Sequence, residues 1–268
     1  MQIFVNEDNC LVEAEIRLYE LRDRQKPNAD LMIVNGYPVR EDQQLKDGDR
    51  VVLMRCGQQP TTDDLEALKR ARHTPSVHEK IKNSCIGIAG VGGLGSSIAI
   101  ALVRVGIGKL VIADFDLVEP SNLNRQHYFI DQIGLPKVLA LRETLQRINP
   151  GLEIKTVQEK ITSGNLRAHF SSVDVMVEAF DAADQKTMLI SHFLSNCSKV
   201  PLVAASGMAG YASSNSITTR KVANNLYLCG DGVTAALPGQ GLMAPRVGIA
   251  AHHQANAVLR LLLGEEPE

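Results

Sequence analysis

The stretch with the clearest chemical potential is Gly90-Val91-Gly92-Gly93-Leu94-Gly95, which opens a helical segment directly after the apolar run Cys85-Ile86-Gly87-Ile88-Ala89. Glycines in a strand-to-helix turn allow close backbone approach to a ligand, and the first helical amides point at anionic oxygens. The same spacing serves a dinucleotide, and Asp114, ending the next apolar run, stands where an acidic side chain takes ribose hydroxyls in either case. The continuation, Asp114-Phe115-Asp116-Leu117-Val118-Glu119-Pro120-Ser121-Asn122-Leu123-Asn124-Arg125-Gln126, separates the two possibilities. It clusters Asn122 and Arg125 just past the ribose position, where an NAD-dependent oxidoreductase has no use for them and a triphosphate does.

Two further positions join this set. Lys137 opens a helical segment after Pro136, so an ammonium and helix amides would act on one anion; a solvated surface lysine is the alternative. Asp181 follows the apolar run Val173 to Ala179, at the end of a strand where open parallel sheets place ligands. Its alternative is a helix N-cap, a role equally open to Asp184, and Glu178 is a supporting candidate behind it.

The elements that must hold these residues are an alternation of strand-like and helical runs. The strands are expected at Cys85 to Ala89, Lys109 to Asp114, Ile154 to Val157, Val173 to Ala179 and Pro201 to Ala205. Helices are expected at Leu94 to Val105, Lys137 to Ile148, Asn165 to Phe170, Asp184 to Ser198 and Ala244 to Leu263. This pattern implies an α/β fold, a Rossmann-like, mainly parallel sheet with flanking helices. Ahead of it, strands at Ile3 to Val5, Leu31 to Val34 and Arg50 to Met54, a helical segment around Leu11 to Leu21 and a turn at Val34-Asn35-Gly36-Tyr37 suggest a small β-grasp, ubiquitin-like domain. The expected division is a β-grasp domain over 1–57, a linker and helix over 58–83, and a nucleotide-binding domain over 84–268.

On the glycine loop, the Asp-x-Asp and Ser-Asn-Leu-Asn-Arg-Gln block, Gly134-Leu135-Pro136-Lys137 and the later Asp181, the sequence resembles the ThiF/MoeB family of adenylyltransferases, relatives of the ubiquitin-activating enzymes. The resemblance covers most of the second domain. It implies ATP binding by Gly90, Gly92, Gly93, Gly95, Asp114, Asp116, Asn122, Arg125 and Lys137, with Asp114 on the ribose and Asn122, Arg125 and Lys137 on the phosphates. It also implies Mg2+ held by Asp181, and catalytic roles for Arg125, Lys137 and Asp181. The chemistry fits those residue types. Attack of a carboxylate on the α-phosphate brings two anions together, so fixed cations and a metal must neutralise the spreading charge, and no protein nucleophile is required.

The N-terminal domain resembles ThiS, the small sulfur carrier of thiamine biosynthesis. A carrier ends in Gly-Gly with a free carboxylate, whereas this module runs Met54-Arg55-Cys56-Gly57-Gln58-Gln59 into the linker. The implied partner is therefore a separate ThiS-like carrier with a C-terminal Gly-Gly, and the implied assembly a homodimer. The fused module is left for docking, dimer contact, regulation or stabilisation. Arg72, in Lys69-Arg70-Ala71-Arg72-His73, is the candidate for an arginine reaching a second subunit's phosphates; a solvated helical face is the alternative. Gly239-Gln240-Gly241-Leu242-Met243-Ala244-Pro245 resembles the family's helix start that closes on the carrier's tail, with core packing the alternative for Met243.

Relatives that carry sulfur covalently use a cysteine in the loop after the fifth strand, and here 208–222 has none. Cys229 is the nearest, and with no flanking base it reads as a small buried residue. The five cysteines form no close Cys-x-x-Cys pair, so no zinc is expected. His252 and His253 lack ligating partners at suitable spacing. A formal charge of -2 argues against nucleic acid as a partner. No apolar run reaches the roughly 20 residues of a membrane span, and the start lacks a secretory pattern, so a cytoplasmic location is expected. Two rival functions remain, a non-catalytic carrier-binding pseudoenzyme and an NAD-dependent oxidoreductase.

Overall fold

The computed structural model describes residues 1–57, 61–73, 75–197 and 199–267. They divide into two compact units, Met1–Glu79 and Lys80–Glu268.

In the first unit, strands β1 (Gln2–Val5), β2 (Asp8–Leu11), β3 (Leu31–Val34), β4 (Tyr37–Val39) and β5 (Arg50–Met54) form a sheet of order β2-β1-β5-β3-β4, accompanied by helix α1 (Leu18–Gln25). The central pair β1 and β5 is parallel and the other pairings are antiparallel, giving the ubiquitin-like β-grasp. The Asn35-Gly36 turn takes φ of 52° and 84°, the left-handed pair that a tight hairpin needs. The helix expected around Leu11 to Leu21 starts only at Leu18. Asn6 and Glu7, at φ 47° and 74°, fold the chain back so that Asp8–Leu11 pairs with β1 instead.

Alternation along β3 and β5 sends side chains to two faces. Val34, Val51 and Leu53 join Leu18 and Leu21 of α1 in one core. Val52 and Met54 pack instead with Ala67 and Ala71 of helix α2 (Thr62–His73). The small alanines permit close approach: a Cβ on Gly36 would fall 2.2 Å from the Ala71 carbonyl oxygen. Much of the segment expected as linker and helix thus completes the first unit, while its residues 58–60 and 74 lie outside the described residues.

The second unit follows helix α3 (Pro75–Asn83), which crosses the division. Its elements are β6 (Cys85–Ala89), α4 (Gly93–Val105), β7 (Lys109–Ala113), α5 (Lys137–Ile148), β8 (Glu153–Val157), α6 (Leu166–Phe170), β9 (Val175–Glu178), α7 (Ala183–Asn196), β10 (Leu202–Ala205), β11 (Thr218–Ala223), β12 (Leu226–Gly230) and α8 (Ala244–Leu263). The sheet order is β11-β12-β10-β9-β6-β7-β8, parallel throughout except at β11. Phe170, Leu189 and Phe193 from α6 and α7 pack against Val111, Met176 and Leu202, while α4 packs on α5 and α8 and all three lie on the same sheet. The sequence reading lacked β11 and β12. From β6 the chain builds outward through β7 and β8, then returns to add β9 on the other side of β6. That reversal opens a crevice at the carboxyl ends of β6 and β9, where open α/β sheets bind ligands.

The α2 contact is testable. Ala67→Asp buries a charge against Val52 and Met54 and is expected to destabilise the first unit by about 2–3 kcal/mol. Amide exchange should accelerate in β5 and stay unchanged in β6; equal exchange in β5 would remove α2 from that core.

Candidate functional site

The crevice begins with a steric demand. Gly90 has φ 88°, and a Cβ there would lie 2.6 Å from the Ala179 carbonyl oxygen at the end of β9. A Cβ on Gly95 would lie 1.9 Å from the carbonyl oxygen of Gly90, so strand end and helix meet backbone to backbone. Gly95 therefore packs the turn and does not line the cavity, whereas Gly90, Gly92 and Gly93 do. The turn is pinned from both sides. The Val91 amide donates to Asp114 Oδ2 at 2.8 Å, and the Tyr128 hydroxyl donates to the Val91 carbonyl at 2.7 Å.

Asp114 also accepts the Asp116 amide through Oδ1 at 2.9 Å. Burial pushes its carboxyl above the usual range, opposed by Lys137 and by these two amides. Lys137, 6% exposed, donates from Nζ to Asp116 Oδ2 at 2.8 Å, and its own amide bonds the Asp116 carbonyl. Arg125 donates to the Ser121 carbonyl and to Asn124 Oδ1, with no carboxylate among its hydrogen-bond partners in the described residues. Asn122 is elsewhere. It is buried and accepts the Glu119 amide at 3.0 Å, closing the 3-10 turn Pro120–Asn122 that precedes Arg125, so it shapes the loop and does not line the cavity.

Asp181 is exposed and lines the same cavity. Neither it nor Asp184 caps α7, because Ala182 holds the N-cap position without a side-chain bond. Exposed oxygens not engaged in a cap suit a hard divalent cation that takes one or two carboxylates and fills its remaining positions with water and phosphate. Among the described residues no group of three or more His, Cys, Asp or Glu is placed to hold a metal unaided.

These residues line a cavity of about 660 Å³ with two chemically distinct ends. One carries Asp114, Asp116, Arg125, Lys137, Glu159 and Lys160, with Asp181, Asp184 and Lys186 following β9 toward the middle. The other is formed by the loops after β10 and β12, Ser206 to Ala209 and Gly232 to Ala236, and carries no charge, while Leu242 and Val247 line the cavity beside Asn124 and Gly93. The sequence reading missed Lys186, which donates from Nζ to both oxygens of the fully buried Glu178 at 3.0 and 2.9 Å and to the Ala205 carbonyl at 3.2 Å. Burial raises the Glu178 carboxyl and Lys186 opposes the rise. Gln126, quoted in the motif but given no role, also lines the cavity, with its Oε1 buried and unbonded. A wider cleft of about 920 Å³ shares Arg125 and Gln126 but is lined by neither the glycine turn nor a carboxylate, both of which belong to the deeper cavity.

The ThiF family matches residues 67–268, and the ThiS-like ubiquitin family matches residues 1–57. The chain belongs to the ThiF family. Among similar proteins, the Escherichia coli molybdopterin-synthase adenylyltransferase is 32% identical over 69% of this chain and 76% of its own length. Ubiquitin-like modifier-activating enzyme 5 of Drosophila sechellia is 48% identical over 32% of this chain, and the match spans 21% of that protein, about a fifth of its length. In structure, the E. coli tRNA N6-threonylcarbamoyladenosine dehydratase in complex with ATP matches 73% of this chain and 92% of that one, at a TM-score of 0.67 and 22% identity. E. coli MccB with ATP matches 79% and 66% at 0.58 and 20%, so both share the Rossmann-like fold.

The remaining sequence candidates of this ThiF-family chain are placed as follows. Arg72 is exposed in the last turn of α2, in the first unit. Met243 is 41% exposed at the N-cap of α8, which excludes core packing. His252 Nδ1 lies 2.8 Å from the Gly248 carbonyl oxygen, and His253 Nδ1 lies 2.9 Å from Thr219 Oγ1. Cys229, fully buried, has its thiol pushed up to about 11 by burial, with Thr219 opposing. At pH 8 almost none of it is thiolate, so iodoacetamide should label the exposed Cys56 in the folded protein and spare Cys229. Peptide mass spectrometry checks this, and rapid native labelling of Cys229 would overturn its inert assignment.

Proposed function

We propose that the protein uses ATP and Mg2+ to adenylate the C-terminal Gly-Gly carboxylate of a separate ThiS-like sulfur carrier, releasing pyrophosphate, in the thiazole branch of thiamine biosynthesis. The observation that carries this reading is the single cavity with one charged and one uncharged end, suited to a nucleotide at the first and an extended glycine tail at the second. The adenylyltransferase activity named for the 32%-identical E. coli relative supports the reaction type. ATP complexes in the same fold support the nucleotide.

In this scheme the amides at the start of α4 and the Asp114 carboxylate hold the nucleotide, and the tail enters between the loops after β10 and β12. The carrier carboxylate oxygen attacks the α-phosphorus as the bond to the β-phosphate oxygen breaks, and pyrophosphate leaves. Arg125 and Lys137 neutralise charge on the phosphoryl oxygens. Lys137 must leave Asp116 in part to do so, and Asp116 keeps the ammonium aimed into the cavity until then. Asp181 would hold Mg2+, which screens the polyphosphate charge. The protein acts as a cytoplasmic homodimer in this reading, with Arg72 reaching the partner subunit's phosphates. The ThiS-like unit inclines the pathway assignment toward thiamine.

The deciding experiment is ATP–pyrophosphate exchange with Mg2+, with and without a carrier ending in free Gly-Gly. Exchange that requires the carrier supports the reading and removes the fused module as substrate. ATP binding without exchange for any carrier would favour a carrier-binding pseudoenzyme, and NAD binding in place of ATP an oxidoreductase. Lys137→Ala and Arg125→Ala are each expected to lower carrier-dependent exchange by about 10²- to 10³-fold, the scale for losing one charge-stabilising group. Asp181→Asn should abolish most exchange while carrier binding persists; unchanged turnover would remove Asp181 from the reaction.

A further inference from the structure

The uncharged end of the cavity is walled by the loops after β10 and β12, and a buried ion pair behind them joins both to the start of α8. Arg246, in the first turn of α8, is 3% exposed. Its Nη1 donates to the Ala212 and Ser213 carbonyls at 2.8 and 2.7 Å, and its Nη2 to Ser216 Oγ at 3.0 Å and Asp231 Oδ2 at 2.6 Å. Asp231 in turn accepts the Val233 and Thr234 amides through Oδ1 at 2.8 and 2.9 Å, and the Thr234 hydroxyl through Oδ2 at 2.8 Å. Its own amide bonds the Gly207 carbonyl, and Thr234 Oγ1 accepts the Ala209 amide at 3.2 Å. Burial opposes ionisation of Asp231, yet the Thr234 and Val233 amides, the Thr234 hydroxyl and the Arg246 guanidinium hold its carboxyl well below the usual range.

The fit is close. A Cβ on Gly207, at φ 79°, would lie 2.0 Å from Asp231 Oδ1. The pair therefore fixes the loop after β10, the strap over 211–216, the loop after β12 and the start of α8 against one another. Of these, Gly207, Ala209, Val233, Thr234 and Val247 face the cavity. Neither Arg246 nor Asp231 lines it.

We infer that Asp231 and Arg246 are positioning residues for the acyl substrate: their ion pair sets the width of the uncharged end, and with it the affinity for an extended, glycine-ended peptide tail, without acting on the nucleotide. This rests on the proposed adenylation reading. Removing one partner of a buried pair leaves the other charge uncompensated, so the loops it ties together lose their fixed spacing. The β6–α4 turn takes its hydrogen bonds from Asp114 and Tyr128 and none from this pair, and although Val247 packs beside Gly93, the ATP Kd should respond far less than the carrier KM.

The test compares the full-length chain with Asp231→Asn, Arg246→Met and Arg246→Lys. Carrier KM and kcat come from pyrophosphate exchange, the ATP Kd is measured without carrier, and amide exchange is read at Ala209, Val233 and Thr234. Expected for Asp231→Asn and Arg246→Met is a carrier KM raised about tenfold or more, the scale of losing one or two net hydrogen bonds to a charged group. The kcat and ATP Kd should stay within about twofold of the parent on the same scale, and the three amides should lose protection. Arg246→Lys, which keeps the charge but cannot span four acceptors, should fall between. An unchanged carrier KM, an ATP Kd that rises in parallel, or retained protection of the three amides overturns the inference. Absence of exchange in the parent protein with every carrier would instead defeat the adenylation reading, and amide protection then decides alone whether the pair positions these loops.

Discussion

The site depends on one contact: strand β6 and helix α4 meet through bare backbone. With no Cβ on Gly95, α4 settles against the Gly90 carbonyl, and with none on Gly90 the turn settles against the end of β9. Only then do the first amides of α4 open onto the crevice instead of being lifted away from the sheet by a side chain. The turn also sets what lies around it. Its Val91 amide fixes the Asp114 carboxylate and its Val91 carbonyl receives Tyr128, so the acid and the loop carrying Arg125 take their positions from the same few atoms.

Burying charge next to such a turn is costly unless each charge has a partner. The second unit satisfies this with three pairs arranged along the crevice. Lys137 with Asp116 sits at the charged end, Lys186 with Glu178 in the floor and Arg246 with Asp231 behind the uncharged loops. They differ in what remains accessible. Asp116 is half exposed, so an arriving anion can compete for Lys137. Glu178 is fully buried and engages Lys186 through both oxygens, and Arg246 is almost wholly enclosed, so those pairs are built to hold backbone in place. Of the three lysine or arginine partners, Lys137 alone combines a pocket position with a carboxylate open to solvent.

This distinction explains what was legible in the sequence. The glycine turn, Asp114 and Lys137 declare themselves through local signals: an apolar strand, a special turn and a helix start after proline, all within short spans. The bounds of β3, β5, β6, α5 and α8 follow for the same reason, since their periodicity and end signals are strong. Gly95 and Asn122 belonged to the right motif but serve the turn and the loop; a sequence motif records which residues are required and not which of them touch ligand. Asp8–Leu11 hid as a strand because its core-facing residues are few and its partner is fixed by left-handed Asn6 and Glu7. Lys186 became visible only when α7 was placed over β9. The largest omission was Leu226–Gly230. Without β12, the segment 231–236 could not be located at the carboxyl end of a strand, and the uncharged half of the cavity was lost with it.

The first unit poses the converse problem, a carrier-like sequence that does not end like a carrier. The structure adds a packing reason to the missing free carboxylate. In a sheet whose strands alternate, one face can be closed by α1 and the other left open for a partner. Here the second face, built on Val52 and Met54, is already occupied by Ala67 and Ala71 of α2, from the segment that leads onward to the second unit. Freeing that face would mean stripping off a helix whose removal exposes apolar surface at about 25 cal/mol per Å². The surface that a dissociable carrier must keep available is thus internal structure in this chain, and the sequence runs on past Gly57 without a free carboxylate.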